Sequence, residues 1–152
     1  MQSKERKAYF SRRYSLSASH RLHSAGLSEE ANRATYGKCN NPFGHGHNYV
    51  IELCVSGPID EATGMVMNLA ALDLIAEREI LSRYDHTNLN TLQEFENLVP
   101  TTENLTIAVY ERVAAAITEV HLERVRVEET TNNFFEYSGS GQESSPAAAS
   151  KG

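Results

Sequence analysis

The run HGHNYVIELCV, from His45 to Val55, decides the fold. Tyr49, Ile51, Leu53 and Val55 recur at every second position, the period of a strand that lays one face on a core. Ser56-Gly57-Pro58 closes the run, and Asp60 to Gly64 reads as a turn. Upstream, Tyr9 to His20 predicts a partner strand, with Tyr14, Leu16, Ala18 and His20 on one face and Arg13, Ser15, Ser17 and Ser19 on the other.

Downstream the period changes. Asn68 predicts the N-cap of a helix running to about Arg83, with Leu69, Leu72, Ile75, Ala76 and Ile80 as its apolar stripe. A second helix is expected after Pro100, capped by Thr101 or Thr102, with Glu103 in the first turn where the helix dipole favours negative charge. Its stripe is Leu105, Val109, Val113, Ala116, Ile117 and Val120, and His121 is expected at its C-terminal end. The chain then returns as a hairpin, Leu122 to Thr130 and Asn133 to Tyr137. The expected class is α+β, in the order β-β-α-α-β-β, with an antiparallel four-stranded sheet covered by two helices on one face. Outer strands with unpaired edges point to assembly with further copies.

The chain has 152 residues, of which 40% are hydrophobic, which predicts one domain, over residues 9–138. A basic arm is expected at 1–8, and a disordered or appended tail, rich in Ser, Gly and Ala, at 139–152. No apolar run approaches the ~20 residues of a membrane span, and no signal-peptide pattern follows the basic start, so no membrane partner and a cytoplasmic location are expected. Two cysteines are too few for a disulfide framework and read as free thiols. A net charge of -6 argues against nucleic acid as a partner, yet leaves room for a local basic pocket that takes one phosphorylated small molecule.

Several residues carry chemistry. His45 and His47, two apart at a strand end, present neighbouring imidazoles; with His20 at the end of the first strand's apolar face they match three protein ligands and an open position, the pattern of catalytic zinc. His23 is the competing ligand, off the strand alternation. Cys39 sits in a polar turn beside Lys38, a setting that can lower a thiol pKa; a catalytic thiol and a fourth zinc ligand both remain open. Cys54, mid-strand, reads as core. Asp85 and His86 form a proton-transfer pair or ordinary loop polarity. Glu129 falls on the apolar face of the final hairpin with Val125 and Val127, where a carboxylate needs a ligand's N–H groups, a proton or an internal salt bridge.

The segments SASHRLHS (17 to 24), GKCNNPFGHGHNY (37 to 49), GMVMNL (64 to 69), DHTNL (85 to 89), TTENL (101 to 105) and EETTNN (128 to 133) together resemble the 6-pyruvoyl-tetrahydropterin synthase family, in its eukaryotic type. The resemblance covers about residues 10 to 138. It departs from the family at Asn90, where aspartate is usual, at Phe43, where a polar residue is common, and at Ala70-Ala71-Leu72.

The resemblance implies the tunnelling fold (T-fold), with trimers closing a barrel and two trimers forming a homohexamer. It implies conversion of 7,8-dihydroneopterin triphosphate to the 6-pyruvoyl product with elimination of triphosphate, in tetrahydrobiopterin biosynthesis. It implies one zinc per subunit on His20, His45 and His47, and magnesium with the triphosphate. Cys39 is then the proton acceptor, and Asp85 and His86 the relay, His86 coming from a neighbouring subunit. Glu129 anchors the pterin and joins the relay, aided by Thr101 and Thr102. The related 6-carboxy-tetrahydropterin synthase of queuosine biosynthesis and a non-catalytic zinc module, with Cys39 as fourth ligand, are the alternatives.

Overall fold

A computed structural model describes residues 5–140, so the first half of the expected basic arm and the tail from 141 onward lie outside the described residues. Two strands, β1 (Lys7–His20) and β2 (His45–Pro58), form its backbone. They pair antiparallel from Lys7 opposite Pro58 to His20 opposite His45. β2 therefore does not stop before Ser56. It runs between two neighbours, and Ser56 and Gly57 are buried in the ladder, where Ser56 Oγ donates to Glu123 Oε1 at 2.6 Å.

Between these strands lie a helix that the apolar pattern does not announce, α1 (Glu29–Tyr36), and a 3-10 turn, Gly37–Asn40. Ser28 Oγ caps α1 by accepting from Ala31 N, and Gly37, at φ 55, ends it. The buried residue of α1 is Asn32. Its amide accepts from Ser24 N and donates to the carbonyls of Ser24, Leu27 and Ser28, so this helix is held by hydrogen bonds rather than a stripe.

The expected helix from Asn68 is broken into α2 (Leu69–Ala76), a π-helical turn (Glu77–Leu81) and a short α3 (Ser82–Tyr84). Asn68 Oδ1 caps it, accepting from Ala70 N at 2.7 Å. Leu72, Ala76 and Ile80 are buried, whereas Leu69, at the exposed first turn, lies outside the stripe. The second helix, α4 (Thr102–Ala116), is capped by Thr101, whose Oγ1 accepts from Asn104 N at 3.2 Å. Leu105, Val109 and Val113 are buried beneath it. Ile117 and Val120 fall past its end, because Ile117 turns extended at ψ 128. His121 accordingly opens β4 (His121–Thr130) rather than closing the helix, and β5 (Asn133–Tyr137) completes the hairpin.

The sheet has five strands rather than four, and it is mixed rather than antiparallel throughout. A two-residue strand, β3 (Thr87–Asn88), pairs parallel with β1, giving the order β3-β1-β2-β4-β5. The cause is local: His86 N donates to Ser17 O at 2.6 Å and Asp85 Oδ1 accepts from Ser17 N at 2.9 Å, which holds the chain along β1. The core joins Leu16, Tyr49, Ile51, Leu53, Val125 and Val127 of the sheet to Leu72, Ile80, Leu105 and Val109 of the helices. Among the described residues, no helix is long and apolar enough to cross a membrane.

Candidate metal centre

The pairing of β1 with β2 assembles the centre. His20 lies directly opposite His45, and His47 follows two residues on, so strand alternation brings three imidazoles to one face at the end of the core. Their ring centroids are 4.6 to 5.1 Å apart, and one nitrogen from each lies within 4.8 Å of the others. Gly44, at φ 73, admits the approach: a Cβ there would come within 3.0 Å of the His20 carbonyl oxygen.

His20 is fully buried, and its Nδ1 lies 2.8 Å from the carbonyl oxygen of Pro100. A carbonyl only accepts, so Nδ1 carries the proton and Nε2 keeps its lone pair. The Nε2 atoms of His20, His45 and His47 are all buried without a hydrogen-bond partner. Orphaned acceptors facing one another are costly to bury unless a cation takes their lone pairs. The donor set therefore fits a divalent metal ion held by three imidazoles. Burial, the larger cause, and then the neighbouring imidazoles hold His20 and His47 below the usual histidine pKa, with Glu129 opposing; the neutral form that results is the one that ligates.

Glu129 faces this cluster from β4. Its Oε1 lies 3.4 Å from His47 Nε2 and 4.0 Å from His20 Nε2, and its side chain is largely shielded. It is the extra residue of a β-bulge, since Glu128 pairs with Phe134 and Thr130 already pairs with Asn133. Bulges re-aim side chains, and this one turns a carboxylate toward the histidines.

Cys39 is half-buried on the 3-10 turn, whose carbonyl accepts from Leu22 N at 2.8 Å. Burial pushes its thiol pKa up, and the charge of Glu129 pushes it further. The sequence expectation is that the setting beside Lys38 can lower this pKa; burial, and then the anion across the site, set the opposite direction. Tyr49, two positions past His47, adds a buried hydroxyl 3.4 Å from His20 Nδ1, and burial followed by Glu129 raises its pKa. Strand periodicity marks Tyr49 as a core residue and leaves its hydroxyl unread. Thr101 is engaged in capping α4, while the Thr102 hydroxyl is buried without a partner.

Asp85 and His86 do touch, at 3.1 Å between Oδ1 and Nδ1, although adjacent side chains usually diverge. His86 sits at φ 58, a left-handed conformation, and points outward with its side chain 82% exposed. The Ser17 N–H, foremost, and then His86 hold the Asp85 carboxyl below its ordinary pKa. The pair lies beside β3, with no contact to the histidine cluster within this chain's ion pairs and hydrogen bonds among the described residues. His23 bonds Asn40 Nδ2 through its Nδ1 at 3.0 Å and is not part of the cluster.

Sequence and fold comparisons agree on one kinship. The profile of the family described as 6-pyruvoyl tetrahydropterin synthase matches residues 9–140. The 6-pyruvoyl tetrahydrobiopterin synthase of Homo sapiens is 47% identical over 133 residues, spanning 87% of this chain and 92% of that protein. The Poecilia reticulata protein of the same name is 46% identical over 136 residues, spanning 89% and 92%. The solved structure of Caenorhabditis elegans 6-pyruvoyl tetrahydropterin synthase superposes with a TM-score of 0.87 at 39% identity, covering 91% of this chain and 100% of that one.

Proposed function

The chain belongs to the 6-pyruvoyl tetrahydropterin synthase family, and on that premise we propose that it converts 7,8-dihydroneopterin triphosphate to 6-pyruvoyl-tetrahydropterin with release of triphosphate, using zinc on His20, His45 and His47. The observation that carries this is the trio of buried, unpartnered Nε2 atoms aimed at one another. Zinc bound there would act as a Lewis acid on the oxygens of the substrate's side-chain hydroxyls and so acidify the neighbouring carbon-bound protons.

The remaining steps fall to the chain's own groups. Cys39, as thiolate, takes the proton from carbon; its raised pKa makes it a stronger base once ionised. Asp85 fixes the proton of His86 on Nδ1, which leaves Nε2 on the exposed side of the ring to pass protons at a neighbouring subunit. Glu129, fixed by the bulge, accepts from the N–H edge of the pterin, with the free hydroxyl of Thr102 beside the site and Thr101 setting the helix that carries it. Magnesium is proposed to accompany the triphosphate. The open edges at β3 and β5 support closure into the proposed homohexamer. The free thiols Cys39 and Cys54 suit a reducing, cytoplasmic setting.

The test joins two readouts on Cys39→Ala: metal content and triphosphate release. Retained zinc with turnover reduced at least about 100-fold is expected for loss of a catalytic base. Loss of zinc would instead make Cys39 a ligand and the centre structural. Acetaldehyde among the wild-type products would move the chain to the 6-carboxy reaction.

A further inference from the structure

Tyr49 is fully buried beside the metal centre and takes no part in the proposed reaction. It shares a strand face with His47, two positions back, and its ring stands edge-on to two of the candidate ligands. The ring centroids lie 5.5 Å from that of His47 at 62° and 6.4 Å from that of His20 at 84°. A phenylalanine would fill the same core position, so the hydroxyl needs its own account.

Its hydrogen bonds follow by elimination. The phenolic oxygen lies 3.4 Å from His20 Nδ1. That nitrogen carries a proton, which it gives to the Pro100 carbonyl at 2.8 Å, so the phenol cannot donate to it and receives the weaker branch of a shared N–H instead. The phenolic proton must then point elsewhere, since a buried O–H rarely goes without an acceptor. Thr102 Oγ1 meets this need: it is buried, has no other hydrogen-bond partner and lies within reach of the Tyr49 hydroxyl. Thr102 is itself held in α4, where its carbonyl accepts from Thr106 Oγ1 at 2.6 Å. Accepting from Tyr49 leaves the Thr102 proton free to donate toward the site. The three groups form a chain, Thr102 to Tyr49 to His20, from the helical layer to a metal ligand on the sheet.

We propose that Tyr49 is a positioning residue: its hydroxyl, held by Thr102, fixes the ring of His20 on the side away from the metal, so that Nε2 stays aimed at the centre shared with His45 and His47. The assignment rests on the metal proposed for these imidazoles. A further contact at the distal nitrogen narrows the rotation of the ligating ring, and partners of this kind tune metal affinity by roughly 10- to 100-fold. The long Nδ1 to oxygen distance places Tyr49 at the lower end of that range.

The experiment uses the full chain and two readouts: the zinc dissociation constant by chelator competition, and the visible spectrum of the cobalt(II)-substituted protein. Tyr49→Phe keeps the ring and removes the hydroxyl; it is expected to raise the zinc dissociation constant about 10-fold and to shift the cobalt bands. Thr102→Val removes the far end of the chain at nearly the same shape. It is expected to act in the same direction to a smaller extent, and the double variant to lose no more than Tyr49→Phe alone, as one connected chain requires. Tyr84→Phe is the control, a fully buried tyrosine whose hydroxyl donates to Glu94 at 2.7 Å. It is expected to lower the urea midpoint while leaving the zinc constant and the cobalt bands unchanged. An unaltered zinc constant and spectrum in Tyr49→Phe would overturn the assignment, as would equal shifts in Tyr84→Phe or fully additive losses in the double variant. A wild-type chain that takes up no stoichiometric zinc would defeat the metal reading itself and this assignment with it.

Discussion

At Asn90 a single nitrogen matters. Its Oδ1 accepts from Arg21 N at 2.7 Å and its Nδ2 donates to Arg21 O at 2.9 Å, a rung of strand ladder built from a side chain. An aspartate at this position would have no donor for that carbonyl. Asn90→Asp is expected to lower stability by about 1 kcal/mol, seen as a reduced urea midpoint at unchanged m. The same distinction separates the legible residues from the rest. His20, His45 and His47 follow from alternation plus one register, so the sequence suffices to group them. The ionisation of Cys39 does not, because it depends on burial and on Glu129, ninety positions away and turned inward by a bulge. His20→Ala is expected to abolish stoichiometric zinc binding, measured by metal analysis after desalting.

Among the elements, those with an apolar stripe were readable and those held by polar contacts were not. α4 and the β4–β5 hairpin lie within a residue of expectation, apart from the helix end. α1 offered signals, Ser28 before Glu29 and Glu30 with Gly37 closing, but its inward residue is Asn32 and the chain there has no stripe to find. β3 is too short for any periodicity. The π-helical turn follows from tertiary contact: Arg112 of α4 donates Nε to the Glu79 carbonyl at 3.0 Å and pairs with the Glu79 carboxylate at 3.0 Å. Arg112→Ala is expected to cost about 1 to 3 kcal/mol, with thermal denaturation as the measure. The connection after β3 is pinned by Glu94, bound by Arg83 of α3 and by the Tyr84 hydroxyl at 2.7 Å. Arg83 chiefly, helped by Tyr84 and opposed by burial, holds the Glu94 carboxyl down at about 2, below its ordinary 4.5. A depressed folded-state pKa gives stability that is complete above about 4.5 and is lost as pH falls toward 2. Glu94→Gln is therefore expected to flatten the stability profile across that acid window while lowering the plateau above it, by urea titration at each pH.

For the molecule as a whole, helices cover one face of the sheet and leave the other to charges. There Glu52, nearly buried, receives Arg13 Nε at 3.0 Å and Arg124 at 3.4 Å. Such a face, flanked by strand edges at β3 and β5, suits enclosure by other copies, and sedimentation is expected to give six times the 16.9 kDa of one chain. A species of monomer mass at micromolar concentration would contradict that assembly. Periodicity marks the edges but not what closes them, since one chain's alternation carries no information about its neighbours; only the family resemblance implies the hexamer. The bond from His20 Nδ1 to the Pro100 carbonyl reaches further than the imidazole it orients. Pro100 immediately precedes the Thr101 cap of α4, so the tautomer of one ring and the first turn of the longest helix share a hinge. Chelation frees His20 to reorient, and deuterium uptake at the amides of 102–105 is expected to rise before the sheet loosens. The first turn of the helix would then report whether a metal ion occupies the three imidazoles.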